Sequence, residues 1–187
     1  MTSHLLVNEI AILSFAALLV AAAVEDVRRL IIPNRIPLGI LILYPAYVLS
    51  ATGPVDWMGA ALLAGGALGV GIILFAFRYA GGGDVKLFVA ASLWAGPTLF
   101  PNFLLVTSLV GAAFGIGMLA HRRFFGMARA SLAASLPGSR EPIADASSAG
   151  GTAAPPASRP ARSRDLPYGV AIAAGGMQIV IHLLVGG

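Results

Sequence analysis

The chain has 187 residues, of which 58% are hydrophobic and 11% are charged, and its mean hydropathy is +0.87. Soluble domains carry about 25% charged residues, so this composition excludes a soluble protein and predicts an integral membrane protein. The net charge is +4, and the sequence contains no cysteine and only three scattered histidines. These counts exclude a disulfide framework and a thiolate zinc site, and we expect neither a metal nor a cofactor.

Chain length limits the number of membrane crossings. A helix needs about 20 apolar residues to span a bilayer, so the chain has room for about six helices and no separate soluble domain. We therefore predict an all-α integral membrane protein, a bundle of about six transmembrane helices that forms a single domain over residues 1–187.

The first half of the chain holds three predicted spans. Residues 5–24 form the first, and no small-residue cleavage site of the signal-peptide kind follows it, so we expect it in the mature protein. A polar stretch at 25–35 leads to the second span at 36–51, in which Pro45 predicts a kink. After a short turn, the third span is predicted at 57–77.

The fourth and fifth spans are predicted on either side of a turn at 96–102, which contains two prolines. Residues 85–95 are few for a full crossing, so we expect the fourth helix to include the preceding motif residues as its first turn. That register would place Asp84 at a helix N-terminus, where the macrodipole favours a carboxylate. Residues 103–120 are predicted to form the fifth span.

The last third of the chain changes character twice. Residues 121–136 carry apolar side chains at every fourth position beside three arginines, which is typical of a basic amphipathic helix on a membrane surface. Residues 137–165 are rich in Ser, Ala, Pro and Gly and predict a disordered cytoplasmic loop. A sixth span is predicted at 166–185.

The positions of the basic residues predict the orientation of the bundle. All 12 Lys and Arg residues fall in the first, third and fifth loops. By the positive-inside rule these loops are cytoplasmic and both termini lie outside. Trp57 and Trp94 would then lie at the outer interface. The basic excess therefore indicates topology and contact with anionic membrane lipids, and we expect no nucleic-acid partner.

Two aspartates are the candidate functional residues. Asp26 ends the first predicted span, and Asp84 follows three glycines at the junction of two apolar segments, so both are predicted on the cytoplasmic side. An ionisable group at membrane depth is costly and is therefore a functional candidate. The alternatives are a surface ion pair of Asp26 with Arg28 and Arg29, and a helix cap for Asp84.

A pair of carboxylates suits the hydrolysis of a peptide bond. Two carboxylates held close share a proton, because both cannot ionise comfortably. One takes a proton from water while the other donates to the carbonyl oxygen, so no covalent intermediate forms. Their titration belongs to the pair, and neither aspartate is assigned as the base.

The glycine-rich stretch before Asp84 resembles a known protease motif. Gly81, Gly82, Gly83 and Asp84 match the GxGD signature of intramembrane aspartyl proteases, and Lys86 extends it to the GxGDxK form of prepilin peptidases. GxGD alone is a weak signal. It becomes a strong one only together with the second part of the family pattern, which precedes it in the chain.

The stretch around Asp26 looks like that second part. It has an aspartate at the end of the first helix, then Arg28, and then Pro33 and Asn34 within an IPN sequence. The last span begins LPYGVA at 166, and a PYG start is also similar to this family. The resemblance covers about 11–120 and the final twenty or so residues, whereas 121–165 matches no part of the family pattern.

The resemblance implies a bacterial type IV prepilin peptidase in the inner membrane, with Asp26 and Asp84 as the catalytic pair facing the cytoplasm. Its substrates would be pilin or pseudopilin precursors, and pilus assembly proteins are candidate partners at the fifth loop. Larger relatives carry paired Cys-x-x-Cys motifs and also methylate the new N-terminus. Without cysteines, this chain is expected to cleave only, and its small size resembles the peptidases of Flp or tight-adherence pili.

The competing function is a small proton- or cation-coupled transporter, because carboxylates beside glycine-interrupted membrane helices can bind protons or cations. Two features argue against it. The two halves show no corresponding pair of broken helices, and both aspartates lie at helix ends. A third possibility is a structural membrane subunit in which the aspartates only cap helices.

Overall fold

The computed structural model describes residues 2–51, 53–135 and 168–185, and every regular element within them is helical. Four of its helices are long and apolar enough to cross a membrane, and the remaining one, with 16 residues, is shorter. The predicted all-α membrane protein is therefore confirmed in its class. The helices are α1 (Thr2–Arg29), α2 (Arg35–Ser50), α3 (Trp57–Ala76), α4 (Gly82–Ser135) and α5 (Tyr168–Val185).

The described residues are assigned to five helices, and α4 comprises two helices joined across a kink at Gly96, so the count of about six spans stays a prediction. The predicted turn at 96–102 lies inside α4, where only Gly96 departs from helical geometry, with φ 56° and ψ −178°. Pro97 follows directly at the first position of the next helical turn, where a missing N–H leaves no hydrogen bond unmade. The predicted turn is therefore confined to Gly96, and both prolines lie in the helix that follows it.

Residues on either side of Gly96 pack against each other. The ring centroids of Phe88 and Phe103 are 5.3 Å apart. In a straight helix, fifteen residues would separate them by about 22 Å along the axis. Phe100 lies beside both rings, at 6.3 Å from Phe88 and 6.2 Å from Phe103. The chain therefore reverses direction at Gly96, and the residues just after it run back alongside those before it.

The buried core joins α1, α2, α4 and α5. Trp94 is 3% exposed, stacks on Phe15 with a centroid distance of 4.2 Å, and donates its Nε1–H to the Ile40 carbonyl at 3.1 Å. Trp94 thus packs between helices and does not face the lipid, and its predicted depth at the outer interface stays a prediction. A buried indole needs a hydrogen-bond partner, and the helix carbonyl supplies one. Trp57 is exposed.

Glycines allow α5 to lie close to α1. A Cβ atom on Gly176 would lie 2.6 Å from Leu19 Cδ1, and one on Gly169 would lie 2.7 Å from Asp26 Oδ2. Leu19 precedes Asp26 by seven residues and Gly176 follows Gly169 by seven, so the two helices are antiparallel and remain in contact over about two turns. Small residues permit this approach in lipid, where apolar burial gives no drive.

The chain divides into two compact units. One comprises Met1–Phe114 with Leu166–Gly187, and the other comprises Gly115–Asp165. Residues 121–135 are helical as part of α4, which agrees with the predicted helix at 121–136, but its location on the membrane surface stays a prediction. Residue 136 and the predicted loop at 137–165 lie outside the described residues. The single domain and the external termini also stay predictions.

Candidate active site

The end of α1 sets the path of the first loop. Leu30 follows the helix with φ 53°, and its N–H donates to the Asp26 carbonyl at 2.8 Å. A left-handed residue at this position ends a helix and turns the chain aside. Pro33 then accepts a hydrogen bond from the N–H of Ile36 at 3.1 Å, which begins α2. The polar loop is therefore a short, hydrogen-bonded turn between two helices.

Asp26 lies in the last turn of α1 and is only 4% exposed. The backbone N–H of Gly169, in the first turn of α5, donates to its Oδ2 at 2.7 Å. The first N–H groups of a helix have no partner within the helix, and they favour an anion. Any side chain at 169 would overlap the carboxylate, since a Cβ there would lie 2.9 Å from Asp26 Cγ.

This geometry removes one alternative for Asp26. A buried carboxylate bonded to Gly169 is not a surface ion pair. Arg29 instead pairs with Glu25, with Nε 3.2 Å from Oε2, one turn along the exposed side of α1. Arg28 is exposed at the same helix end. The contact with Gly169 was not predicted, although the PYG sequence that carries it was visible at the start of the last span.

Asp84 lies in the first turn of α4 and is half-buried. Its predicted position at a helix N-terminus is confirmed, and the N–H of Val85 donates to the Gly81 carbonyl at 3.1 Å. A Cβ atom on Gly81 would lie 2.8 Å from Asp84 Oδ2, so the carboxylate is folded back over this glycine. The absence of a side chain at 81 therefore makes room for the acid group.

The loop after Asp26 lies against the turn that carries Asp84. A Cβ atom on Gly83 would lie 3.1 Å from Ile32 Cβ and 3.2 Å from the Ile32 carbonyl oxygen, and Ile32 is buried. Beside this contact, Lys86 Nζ donates to Asn34 Oδ1 at 2.9 Å. The two halves of the sequence pattern, more than fifty residues apart, thus meet at one end of the first unit.

Helix α3 supports the same end of the unit. Its buried face consists of the small residues Ala60, Ala64, Ala67 and Gly71. A Cβ atom on Gly71 would lie 2.5 Å from Val85 Cγ1, so α3 packs closely on the first turn of α4 next to Asp84. Within the part of the chain that the structure describes, no three His, Asp or Glu residues are placed to hold a metal ion.

Comparison with known families gives this arrangement a context. The sequence model of the Type IV leader peptidase family matches residues 13–116, which is more than half of the chain and includes both Asp26 and Asp84. The chain belongs to this family. Both aspartate segments, which meet in the structure, therefore lie within the part of the chain that matches the family.

Two relatives extend the comparison. The protein named Prepilin leader peptidase/N-methyltransferase from Aeromonas salmonicida strain A449 is 31% identical to this chain over 114 residues. A second protein of that name from Aeromonas salmonicida gives the same identity over the same length. Each match covers 56% of this chain and 38% of the relative, so the chain spans well under half of their length. No solved structure matches the chain.

Proposed function

We propose that this type IV leader peptidase is a membrane aspartyl endopeptidase that cleaves the leader peptide of type IV, Flp-like prepilins at the cytoplasmic face. Asp26 and Asp84 are its catalytic pair, and water is its nucleophile. The observation that carries the proposal is the contact of Ile32 with Gly83, reinforced by the bond between Asn34 and Lys86, because it holds the two aspartate segments together.

The proposed reaction needs only the two carboxyl groups and one water. The ionised carboxylate accepts a proton as the water oxygen attacks the peptide carbon, and the protonated partner donates to the carbonyl oxygen. The tetrahedral intermediate then collapses: the C–N bond breaks, the leaving nitrogen takes a proton from one carboxyl group, and a hydroxyl of the intermediate returns a proton to the other. The products are a carboxylic acid and an amine, and the dyad shares one proton again.

Each aspartate has a support suited to this chemistry. Asp26 is held by the N–H of Gly169 at the start of α5, which fixes the orientation of the carboxylate. Asp84 lies in the first turn of α4, where the helix dipole favours negative charge. Both supports come from backbone groups of helix N-termini, so they do not depend on side-chain rotamers.

The charges at this end of the unit support the proposed orientation. Arg28, Arg35, Arg78 and Lys86 all lie at or next to the helix ends that surround the aspartates. The turn between α2 and α3, at the opposite end, contains Asp56 and no basic residue. By the positive-inside rule the aspartate end faces the cytoplasm, which suits an enzyme of the bacterial inner membrane with both termini outside.

The substrate and the partners also belong to the proposal. We assign cleavage without methylation, because the cysteine motifs expected of a methylating relative are absent from the sequence. Pilin and pseudopilin precursors remain the expected substrates, and residues 121–165 are the proposed contact for assembly proteins. Family membership favours this reading over the ion transporter, for which the geometry adds no support.

The test is the processing of an Flp-type prepilin by the protein in liposomes. We expect Asp26→Asn and Asp84→Asn each to lower the rate by at least about a hundredfold, the usual contribution of general acid–base groups. Asp56→Asn is the matched control. Asp56 caps α3 by accepting from the N–H of Gly59, and an asparagine can cap a helix equally well. Processing that survives both active-site changes would exclude the proposed mechanism.

A further inference from the structure

We infer that Lys86 and Asn34 form a positioning latch for the two aspartates, and that the lysine acts through Asn34 and not as a charge on the reacting groups. This inference rests on the proposed function of Asp26 and Asp84. It assigns a role to two polar residues that the reaction itself does not use.

The register of α4 directs Lys86 away from Asp84. Residues two apart on an α-helix are separated by roughly 200° around its axis, so their side chains leave on different sides. The Nζ of Lys86 accordingly donates to Asn34 Oδ1, at 2.9 Å, on the first loop. A lysine at this position therefore reaches the loop that follows Asp26.

The side chain of Asn34 accepts a hydrogen bond from Lys86 and does not cap the helix that it precedes. It occupies the N-cap position of α2, where an asparagine side chain ordinarily accepts from an N–H of the first helical turn. Here the side chain makes no capping hydrogen bond, and its backbone conformation, φ −56° and ψ −21°, is already helical. The amide oxygen serves a partner 52 residues away instead.

Two contacts restrain the loop between α1 and α2 against α4, namely the packing of Ile32 beside Gly83 and the hydrogen bond from Lys86 to Asn34. Ile32 packs closely on the first turn of α4, since a Cβ atom added to Gly83 would lie 3.1 Å from its Cβ and 3.2 Å from its carbonyl oxygen. It cannot move away without stretching the bond between Asn34 and Lys86. Because the loop continues directly from the helix end that bears Asp26, this restraint sets the distance between the two carboxyl groups.

A double-mutant cycle on prepilin processing separates this role from a direct one. We expect Lys86→Met and Asn34→Ala each to lower kcat about threefold to tenfold, the effect of one lost hydrogen bond, with KM little changed. The double variant should be no slower than the slower single variant. Lys86→Arg and Asn34→Asp both preserve the bond and should retain activity. Asn102→Ala, an exposed asparagine far from the site, is the control.

Several outcomes would overturn the latch. Additive losses in the cycle would show that the two residues act separately. Asn34→Asp places a carboxylate beside the ammonium group of Lys86 and so offsets its charge. A fall in activity in this variant would show that the lysine charge acts directly on the dyad or the substrate. Wild-type protein that fails to process a prepilin, or processing that survives Asp26→Asn, would instead count against the proposed function.

A structural readout tests the latch even in that case. The sequence contains no cysteine, so the pair Ile32→Cys and Gly83→Cys gives an unambiguous disulfide signal. Their Cβ atoms are near the separation that a disulfide needs. We expect rapid oxidation of this pair, and oxidation about fivefold slower when Lys86→Met is added, by the loss of one hydrogen bond. An unchanged oxidation rate would overturn the latch.

Discussion

The backbone N–H of Gly169 lies 2.7 Å from Oδ2 of Asp26 and joins residues 143 positions apart in the sequence. The first turn of α5 thus lies directly against the carboxylate in the last turn of α1. The backbone N–H at this helix N-terminus donates to the carboxylate, and glycine, which has no side chain, leaves room for the carboxylate at van der Waals distance. The PYG sequence at the start of α5 therefore has a physical role in the site.

Gly169→Ala is expected to lower prepilin processing by at least about tenfold, because the new methyl group would displace a carboxylate that acts as acid or base. A Cβ there would lie 2.7 to 2.9 Å from three atoms of Asp26, with no room to relax around a buried group. Initial rates in liposomes measure the effect, and thermal unfolding shows whether the helical unit is retained.

Gly65→Ala is the matched control for that change. It makes the same substitution within a helix, but nothing lies within 4 Å of the new atom. Alanine favours a helix over glycine by roughly 0.5–1 kcal/mol, so this variant should be at least as stable as wild type and equally active. If Gly169→Ala and Gly65→Ala proved equally active, the close approach of α5 to Asp26 would have no functional role.

The three glycines before Asp84 are expected to differ in their tolerance of alanine. Gly81→Ala would push on the Asp84 carboxylate, and Gly83→Ala would push on the backbone of Ile32. At Gly82 the nearest atoms belong to the ring of Phe75, a side chain that can turn aside. Processing rates should therefore fall about tenfold or more at 81 and 83 but change little at 82, because only the first two displace an acid–base group.

A uniform loss at all three positions would contradict this order. It would indicate that chain flexibility, and not the space beside particular atoms, is what the glycines provide. Circular dichroism of each variant would show whether the overall helix content is retained. The comparison is internal, since the three substitutions are identical and lie in consecutive residues.

The sequence was sufficient for the class of fold and for the local setting of each aspartate. Composition predicted membrane helices, and the short apolar segment after the glycines predicted that Asp84 begins a helix. Both conclusions follow from properties of neighbouring residues. The basic residues around the aspartates were equally visible, because a charge pattern needs no tertiary information.

The errors arose where distant contacts override local rules. The turn predicted at 96–102 was too long, because helix resumes at Pro97 and the aromatic packing of Phe88 on Phe103 joins the two sides of a single reversed residue, Gly96. Trp94 was expected in a lipid-facing aromatic belt, but it is buried between helices, where the Ile40 carbonyl accepts from its N–H. Neither partner lies near enough in sequence to be inferred from pattern alone.

Gly96→Ala tests the reversal within α4. With φ at 56° and ψ at −178°, Gly96 occupies a backbone region that is essentially restricted to glycine, and an L-residue held there costs roughly 1–3 kcal/mol. Space is not the cause, since the nearest atom to a new Cβ is 3.9 Å away on Ala60. We expect a lower unfolding temperature with processing retained at low temperature. Unchanged stability would contradict a left-handed residue at the reversal.

The distance between the two aspartates is open to direct chemical measurement. Because the chain has no cysteine, Asp26→Cys with Asp84→Cys gives a pair that only its own two thiols can cross-link. We expect efficient intramolecular linkage by a short bismaleimide, since the segments that carry the pair are joined at Ile32 and Gly83. Asp26→Cys with Asp56→Cys is the control, since Asp56 precedes α3 at the opposite end. If both pairs cross-linked equally, or neither pair did, Asp26 and Asp84 would not be close enough to share one water. The proposed dyad would then have to be abandoned.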